Sequence, residues 1–357
     1  MNILFLNSAR SRGGNELWST VTANALAEKG HTVCFAIRSD FFKEMLSDKI
    51  NIIEIPFKHE LDSSTYSLLN NAIDKYKIDI LLPTKQKEYF IAGRIGKKRK
   101  LPVVFRLGIA RNLPKWDLYR RYIFKKYPSA VIVNASNIKD ILVQNDIVEP
   151  DKIKVIYNGY DFPDSVEDFI EADLPNDKFI FAAAGRLTAQ KGYDLLLKAC
   201  VELNKTRNDY RVIIAGDGGE KEDYIKYIEE NNLEDIVHLI GYISNVRGFL
   251  KTADAVLIPS RNEGIPNTLF EAWSLKKAVI TSDAAGLPEA MRTMENGIMC
   301  ALSPDKIADA MKYFLDHPEE IEAFGEAGYK TMKENFSLEK SISGIEGLLT
   351  ELCGKSC

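Results

Sequence analysis

Phe179-Ile180-Phe181-Ala182-Ala183-Ala184-Gly185-Arg186-Leu187-Thr188-Ala189-Gln190-Lys191-Gly192 carries the architecture of this chain in miniature. Six apolar residues read as a strand buried on both faces, a glycine-bounded loop follows, and a helical pattern begins at Gly192. Continuous apolar strands alternating with helices imply a parallel sheet covered on both sides. Ligands of such sheets bind beyond the carboxyl ends of the strands, so loop 185–192 is where chemistry is expected. Arg186 and Lys191 suit a diphosphate there, the arginine as a planar fork and the lysine as a mobile point charge. The alternative is two solvated surface charges.

The same alternation extends in both directions. Toward the C-terminus, strands fit 211–215, 236–240, 254–258 and 277–281, with helices at 192–205, 220–231, 266–275, 304–316 and 318–334. Toward the N-terminus, strands fit 2–7, 31–37, 50–55, 78–82, 102–107, 129–133 and 153–157, with helices at 15–29, 67–77, 86–98 and 136–145. The acidic, turn-rich stretch from Asp161 to Lys178, with Pro163 and Pro175, reads as a linker between the two series. The expectation is an α/β protein of two doubly wound, Rossmann-like domains facing a cleft, 1–165 and 166–336. Segment 337–357, amphipathic over 337–352, follows them.

Composition bounds the function classes. The chain has 357 residues, 45% hydrophobic and 27% charged, which excludes disordered, collagen-like and coiled-coil classes. No run approaches the roughly 18 apolar residues of a membrane helix. Met1–Asn7 reads as a buried first strand and not a signal peptide. Cys34, Cys200, Cys300, Cys353 and Cys357 are scattered, which points to a reducing cytoplasm and away from a disulfide framework or zinc site. The net charge of −4 is divided unevenly: residues 1–165 hold 26 Lys+Arg against 18 Asp+Glu, and the remainder holds 21 against 33. A basic first half suggests an anionic partner.

Two further turns carry chemistry. Ser8-Ala9-Arg10-Ser11-Arg12-Gly13-Gly14-Asn15-Glu16 follows the first strand, and Gly13 and Gly14 let backbone approach a phosphate or sugar at a helix N-terminus. It is not G-x-G-x-x-G, and Arg38 stands where a ribose-binding acid would end the second strand, so a dinucleotide cofactor is not expected. A plain tight turn is the alternative. The segment Ile258 to Trp273 holds Glu263-Gly264-Ile265-Pro266-Asn267-Thr268 and then Glu271. Amides at 264–268 can cradle an anion, Glu263 lies before the helix, and Glu271 lies about one turn in, where a carboxylate accepts bonds from vicinal hydroxyls.

On these residues the chain resembles the retaining glycosyltransferase family 4 enzymes of GT-B fold, of the bacterial surface-glycan and lipopolysaccharide type. The resemblance is carried by Gly13–Glu16, Val155–Asp161, Gly185-Arg186 with Lys191-Gly192, Ala215–Gly218, Glu263–Glu271 and Thr281–Glu289. It implies transfer of a sugar from a nucleotide-sugar, UDP-linked in preference to GDP-linked, to a glycan or lipid-linked acceptor. Arg186, Lys191 and Glu263 are then the catalytic candidates. Donor binding falls to Gly13, Gly14, Gly185, Asp217, Gly264, Ile265, Pro266, Asn267, Thr268 and Glu271. Lys85 and Arg106 are the acceptor candidates, and segment 337–352 looks like the family's C-terminal helix, which crosses back to the first domain.

The residues agree with that chemistry. A nucleoside diphosphate leaving group needs charge stabilisation, and Arg186, Lys191 and a helix N-terminus supply it. With no Asp-x-Asp triplet and no histidine cluster, neither a metal nor a cofactor is expected. One departure stands out. Many members carry a histidine just after the strand at 102–107, where this chain has Arg106-Leu107-Gly108. Arginine stays protonated and cannot serve as a base, so a front-face mechanism is expected, the donor phosphate accepting the proton. Arg106 otherwise forms a structural ion pair, and Lys85 and Lys87 are otherwise a solvated pair.

Segment 94–126 carries twelve Lys+Arg and one acid, Asp117, interleaved with aromatic residues. It reads either as a solvated face or as a surface for an anionic membrane, the protein then being cytoplasmic and peripheral on the inner face of the cell membrane. Nucleic acid is not expected, because the sequence pI is near 5.8 and no binding motif is present. Two rivals stay open: a nucleotide-sugar hydrolase or epimerase of the same fold, and a non-catalytic nucleotide-sugar binder.

Overall fold

The first strand, β1 (Asn2–Asn7), is the centre of a parallel sheet built from apolar runs. Around it the chain adds α1 (Gly14–Glu28), β2 (Thr32–Ile37), β3 (Asn51–Glu54), α2 (Ser63–Tyr76), β4 (Ile80–Pro83) and α3 (Gln86–Arg99). Then come β5 (Val104–Leu107), α4 (Leu118–Lys126), β6 (Ala130–Val133), α5 (Ser136–Gln144) and β7 (Ile153–Val155). The computed structural model describes residues 1–108, 117–161, 165–169, 178–262, 264–284 and 286–354. Strands run in the order β3-β2-β1-β4 and β5-β6-β7, and a parallel bridge between Leu81 and Val103 links the two sets. Every pairing is parallel, as expected of strands apolar on both faces.

The pattern restarts with β8 (Phe179–Ala184), α6 (Tyr193–Asn204), β9 (Tyr210–Ala215), α7 (Lys221–Glu230), β10 (Val237–Gly241) and α8 (Val246–Lys251). It continues with β11 (Ala255–Ile258), α9 (Asn267–Ser274), β12 (Ala278–Ser282), β13 (Ile298–Cys300), α10 (Pro304–Asp316), α11 (Ile321–Asn335) and α12 (Leu338–Cys353). The second sheet has the order β10-β9-β8-β11-β12-β13, again all parallel. Its order reverses between β8 and β11, the switch point at which such sheets bind ligands.

The chain forms two compact units, Met1–Gly159 with Leu338–Cys357, and Tyr160–Ser337. Helix α12 thus belongs to the first unit, where Ile342, Ile345, Leu348 and Leu349 share a core with Ile3, Phe5, Val33 and Val104. The second unit has its own core around Phe181, Leu196, Val212, Leu257 and Met311.

Most of the stretch 161–178 lies outside the described residues. The described run 165–169 within it is fastened to α8: Asn245 Nδ2 donates to the Glu167 carbonyl at 3.1 Å, Lys251 pairs with Asp168 at 2.9 Å, and Phe169 packs edge-on against Phe249. These residues are part of the second unit and not a free tether.

Candidate active site

In the second unit three loops meet at the carboxyl ends of β8, β9 and β11. Their nesting depends on glycine. A Cβ on Gly216 would overlap the Gly185 carbonyl oxygen, and one on Gly192, whose φ is +73°, would overlap the Pro259 carbonyl oxygen. Backbone bonds complete the joint: Gly185 N–H donates to Ala215 O at 2.9 Å, Leu187 N–H to Asp217 O at 3.0 Å, and Gly216 N–H to Gly241 O at 2.7 Å. Asp217 accepts from the Gly218 amide at 2.9 Å, so its side chain shapes its own turn.

The two candidate cations differ in setting. Arg186 is exposed, while Lys191 is half-buried, its side chain lying against the α-carbon of Gly185. Glu271, on the second turn of α9, is influenced by the charges of Lys191 and of Arg247 on α8. Burial raises the Glu271 carboxyl and those two cations partly oppose it, the balance standing at about 7. At the N-terminal end of α9, Gly264, Ile265, Pro266 and Thr268 are buried and Asn267 is half-buried. The Tyr160 hydroxyl donates to Asn267 Oδ1, and the Tyr160 ring stacks on Phe270 with centroids 4.3 Å apart. Glu263 lies outside the described residues.

The first unit gathers a different set at its strand ends. Arg106 is 4% exposed, its guanidinium 4.7 Å over the Trp18 ring. Its Nη1 donates to Asn15 Oδ1 at 2.8 Å and its Nη2 to Asn158 Oδ1 at 3.2 Å. Lys85 pairs with the buried Glu16 at 2.8 Å, and Lys87 donates to the Phe57 and Lys58 carbonyls at 3.0 and 3.1 Å. Glu88, fully buried, accepts from the amides of Ser8, Thr84 and Lys85 at 2.5, 3.1 and 3.0 Å, stapling the loops after β1 and β4 together. Burial raises its carboxyl, and the Ser8, Thr84 and Lys85 bonds lower it. Gly13 and Gly14 lead into α1 beside Asn15 and Glu16, Gly13 being its N-cap residue. Asn15, Glu16 and Asn158 lie in stretches that carry the family resemblance but have no role assigned from sequence, and Glu88 is not named there, since their long-range partners lie between 52 and 91 residues away. For Asn15 and Glu16 the local signal is their place one and two residues past the Gly13-Gly14 turn.

Part of the basic stretch is paired with acids where it is described. Arg99 forks onto Asp74 at 2.5 and 2.8 Å, Arg120 pairs with Asp117, and Lys125 and Arg121 pair with Asp146. Leu118 on α4 is 72% exposed, and Tyr119 and Tyr122 are exposed beside it. Arg111 and Lys115 lie outside the described residues. No helix among the described residues is long and apolar enough to cross a membrane.

Comparison with known proteins matches the arrangement. The family model for glycosyl transferases group 1 covers residues 164–331, and that for Glycosyltransferase Family 4 covers residues 12–162. The chain belongs with the family 4 glycosyltransferases. Among its relatives, the lipopolysaccharide core biosynthesis glycosyltransferase LpsD of Rhizobium meliloti is 33% identical over 175 residues, 48% of this chain and 50% of that one. The chain spans about half the length of such curated relatives. An uncharacterized glycosyltransferase of Haemophilus influenzae is 23% identical over 97% of this chain and 98% of its own. The crystal structure of Anabaena Alr3699/HepE in complex with UDP and glucose has a TM-score of 0.80 at 18% identity, covering 98% of this chain and 100% of that chain. It shares the fold, the two-unit GT-B glycosyltransferase architecture.

Proposed function

We propose that this family 4 glycosyltransferase moves a sugar, with retention of anomeric configuration, from a nucleotide-sugar to a glycan or lipid-linked acceptor. The observation that carries the reading is the grouping of Lys191, Glu271 and the N-terminus of α9 at the switch point of the second sheet. Arg186 and Lys191 hold the diphosphate and stabilise the charge that grows on it as the glycosidic bond breaks. Glu271 accepts the ribose hydroxyls. Glu263 and the amides of Gly264, Ile265 and Asn267 hold the transferred sugar. UDP-sugars are the favoured donors; the fold shared with a protein crystallised with UDP and glucose supports that choice.

The first unit binds the acceptor. Arg106 cannot take a proton from the attacking hydroxyl, because a guanidinium stays charged. Held by Asn15 and Asn158, it is suited to fixing an oxygen-rich or anionic acceptor group. The leaving phosphate oxygen then accepts the proton on the face the acceptor enters, and no side-chain base or metal is required. Relatives named for lipopolysaccharide core synthesis and for a diphospho-undecaprenol acceptor support a lipid-linked acceptor made at a membrane surface.

Thermal-shift measurements against UDP, GDP, ADP and their sugars identify the donor, because a ligand selective for the native state raises the apparent melting temperature. Nucleoside diphosphate release with and without glycan and lipid-linked acceptors then tests transfer. Release that ignores every acceptor would favour the hydrolase reading, and absence of any nucleotide binding would remove the proposal.

A further inference from the structure

Arg261 ties the loop after β11 to the loop after β8 more extensively than any other side chain described in the second unit. Its guanidinium forks onto Asp194, Nη1 to Oδ1 at 2.6 Å and Nη2 to Oδ2 at 2.7 Å, and Nη1 also donates to the Ala189 carbonyl at 2.7 Å. Its backbone N–H donates to the Gln190 carbonyl at 2.8 Å, and Gln190 Nε2 returns a bond to the Asn262 carbonyl at 2.5 Å. Asp194 stands in the first turn of α6, where the helix N-terminus favours a negative charge. One partner therefore sits two residues before Glu263, and the other three residues after Lys191.

What such a pair contributes follows from its exposure. The side chains of Arg261 and Asp194 remain 33% and 35% exposed, and ion pairs this wet add little to stability. A bidentate fork with parallel bonds nevertheless fixes orientation in a way a single contact does not. Among the described residues the two loops also meet through the Gln190 side chain, which donates to the Asn262 carbonyl, and through backbone, where Gly192 lies against Pro259. The pair thus supplies register between loops more than it supplies folding energy.

We propose that Arg261 and Asp194 are positioning residues that set the distance between the diphosphate-holding loop 185–192 and the sugar-holding loop 262–267. This deepens the donor reading above and rests on it. The two loops grip different parts of one ligand. A slip between them leaves each grip intact but misplaces the sugar relative to the diphosphate, and displacements of about 1 Å at a reacting centre cost on the order of 10²-fold in rate. The loss therefore falls on ligands that span both loops, and not on those held by one.

Calorimetric titration of the full-length protein tests this, with UDP against UDP-glucose, or GDP against GDP-mannose if guanosine nucleotides bind instead. In Asp194→Asn the affinity for the free nucleoside diphosphate is expected to stay within about threefold, while that for the intact nucleotide-sugar falls about tenfold and sugar hydrolysis or transfer falls further. Arg261→Lys, which keeps the charge and loses the fork, is expected to show the same split. Arg261→Gln tests the pair again should Asp194→Asn fold poorly, with circular dichroism reporting the folded state. Equal losses for both ligands, or no loss for either in a folded variant, would overturn the positioning role while leaving the donor reading standing. If the unaltered protein binds no nucleotide or nucleotide-sugar, the donor reading falls and this proposal falls with it.

Discussion

The α-carbon of Gly216 rests against the carbonyl oxygen of Gly185, so that the turns after β9 and β8 touch backbone to backbone. No side chain larger than hydrogen fits between them, and the bonds from Gly185 to Ala215 and from Gly216 to Gly241 run on either side of the contact.

Gly216→Ala therefore forces the two turns apart. Overpacking of this kind costs about 2 kcal/mol, and here it also shifts the loop that carries Arg186 and Lys191. Urea unfolding should show a lowered midpoint with an unchanged slope, and nucleotide affinity should fall in the protein that remains folded. An alanine variant with unaltered stability would mean that the turns are less tightly joined than described.

Replacing Arg186 or Lys191 by alanine should lower kcat/KM by on the order of 10²-fold, because each removes a contact that strengthens as the leaving group forms. EDTA should leave the rate largely unchanged. Unaltered kinetics in both folded variants would remove the diphosphate clamp from the mechanism.

Glu271 makes a pH-dependent prediction. Its folded value, about 7, lies above the ordinary 4.5, so the carboxyl contributes stability that is complete below 4.5 and is lost as pH rises through about 7. Glu271→Gln, neutral at every pH, should melt higher than the unaltered protein at pH 8, with the gain shrinking toward pH 5. A gain that does not depend on pH would show that charge burial is not its origin. The same variant should bind nucleoside diphosphate less tightly, since an amide accepts ribose hydroxyls more weakly than a carboxylate.

The two glutamates of the α9 segment should separate by ligand. Glu271→Ala is expected to weaken nucleoside diphosphate and nucleotide-sugar alike, whereas Glu263→Ala should spare the free nucleotide and damage turnover. Calorimetry of the bare nucleotide distinguishes them; matching losses in both variants would mean that the roles are divided wrongly.

The first unit should associate with anionic liposomes at low salt if its basic, aromatic surface meets the acceptor's membrane. Each lysine or arginine near anionic headgroups contributes about 1 kcal/mol, an attraction that fades within a Debye length. Charge reversal at Lys97, Lys98 and Lys100 should reduce co-sedimentation and transfer to a lipid-anchored acceptor while sparing nucleotide affinity. The pairing of Arg99, Arg120, Arg121 and Lys125 with acids leaves fewer uncommitted charges than the sequence suggests. If the unaltered protein ignores anionic vesicles, the surface is an ordinary solvated face.

The strands that frame the second-unit loops were legible because each is a run of buried apolar residues ending at a glycine or proline: Ala184 before Gly185, Ala215 before Gly216, Ile258 before Pro259. Helix α8 was not, since six residues are too few to display a period, and β13 has only three residues. The candidate residues Lys191, Thr268 and Glu271 lie on or beside the elements expected to carry them. What no reading of neighbours along the chain supplies is the partner: Arg261 meets Asp194 across 67 residues, and Arg106 meets Asn15 across 91. Lys85 looked like an unclaimed cation, yet Glu16 of the first turn already holds it, because both strands end on the same edge of the sheet.

The placement of α12 has a consequence for how the protein is made. The first unit is written in two instalments, with the whole of the second unit between them. During synthesis the second unit emerges as one uninterrupted segment and can close its core while the ribosome is still at work. The first unit must wait, with Ile3, Phe5 and Val33 lacking the cover of Ile342, Ile345 and Leu349 until α12 appears. A chain that stops after Ser337 but before α12 is complete therefore has a whole second unit and a first unit with an uncovered, adhesive face, marking it for chaperones or proteases.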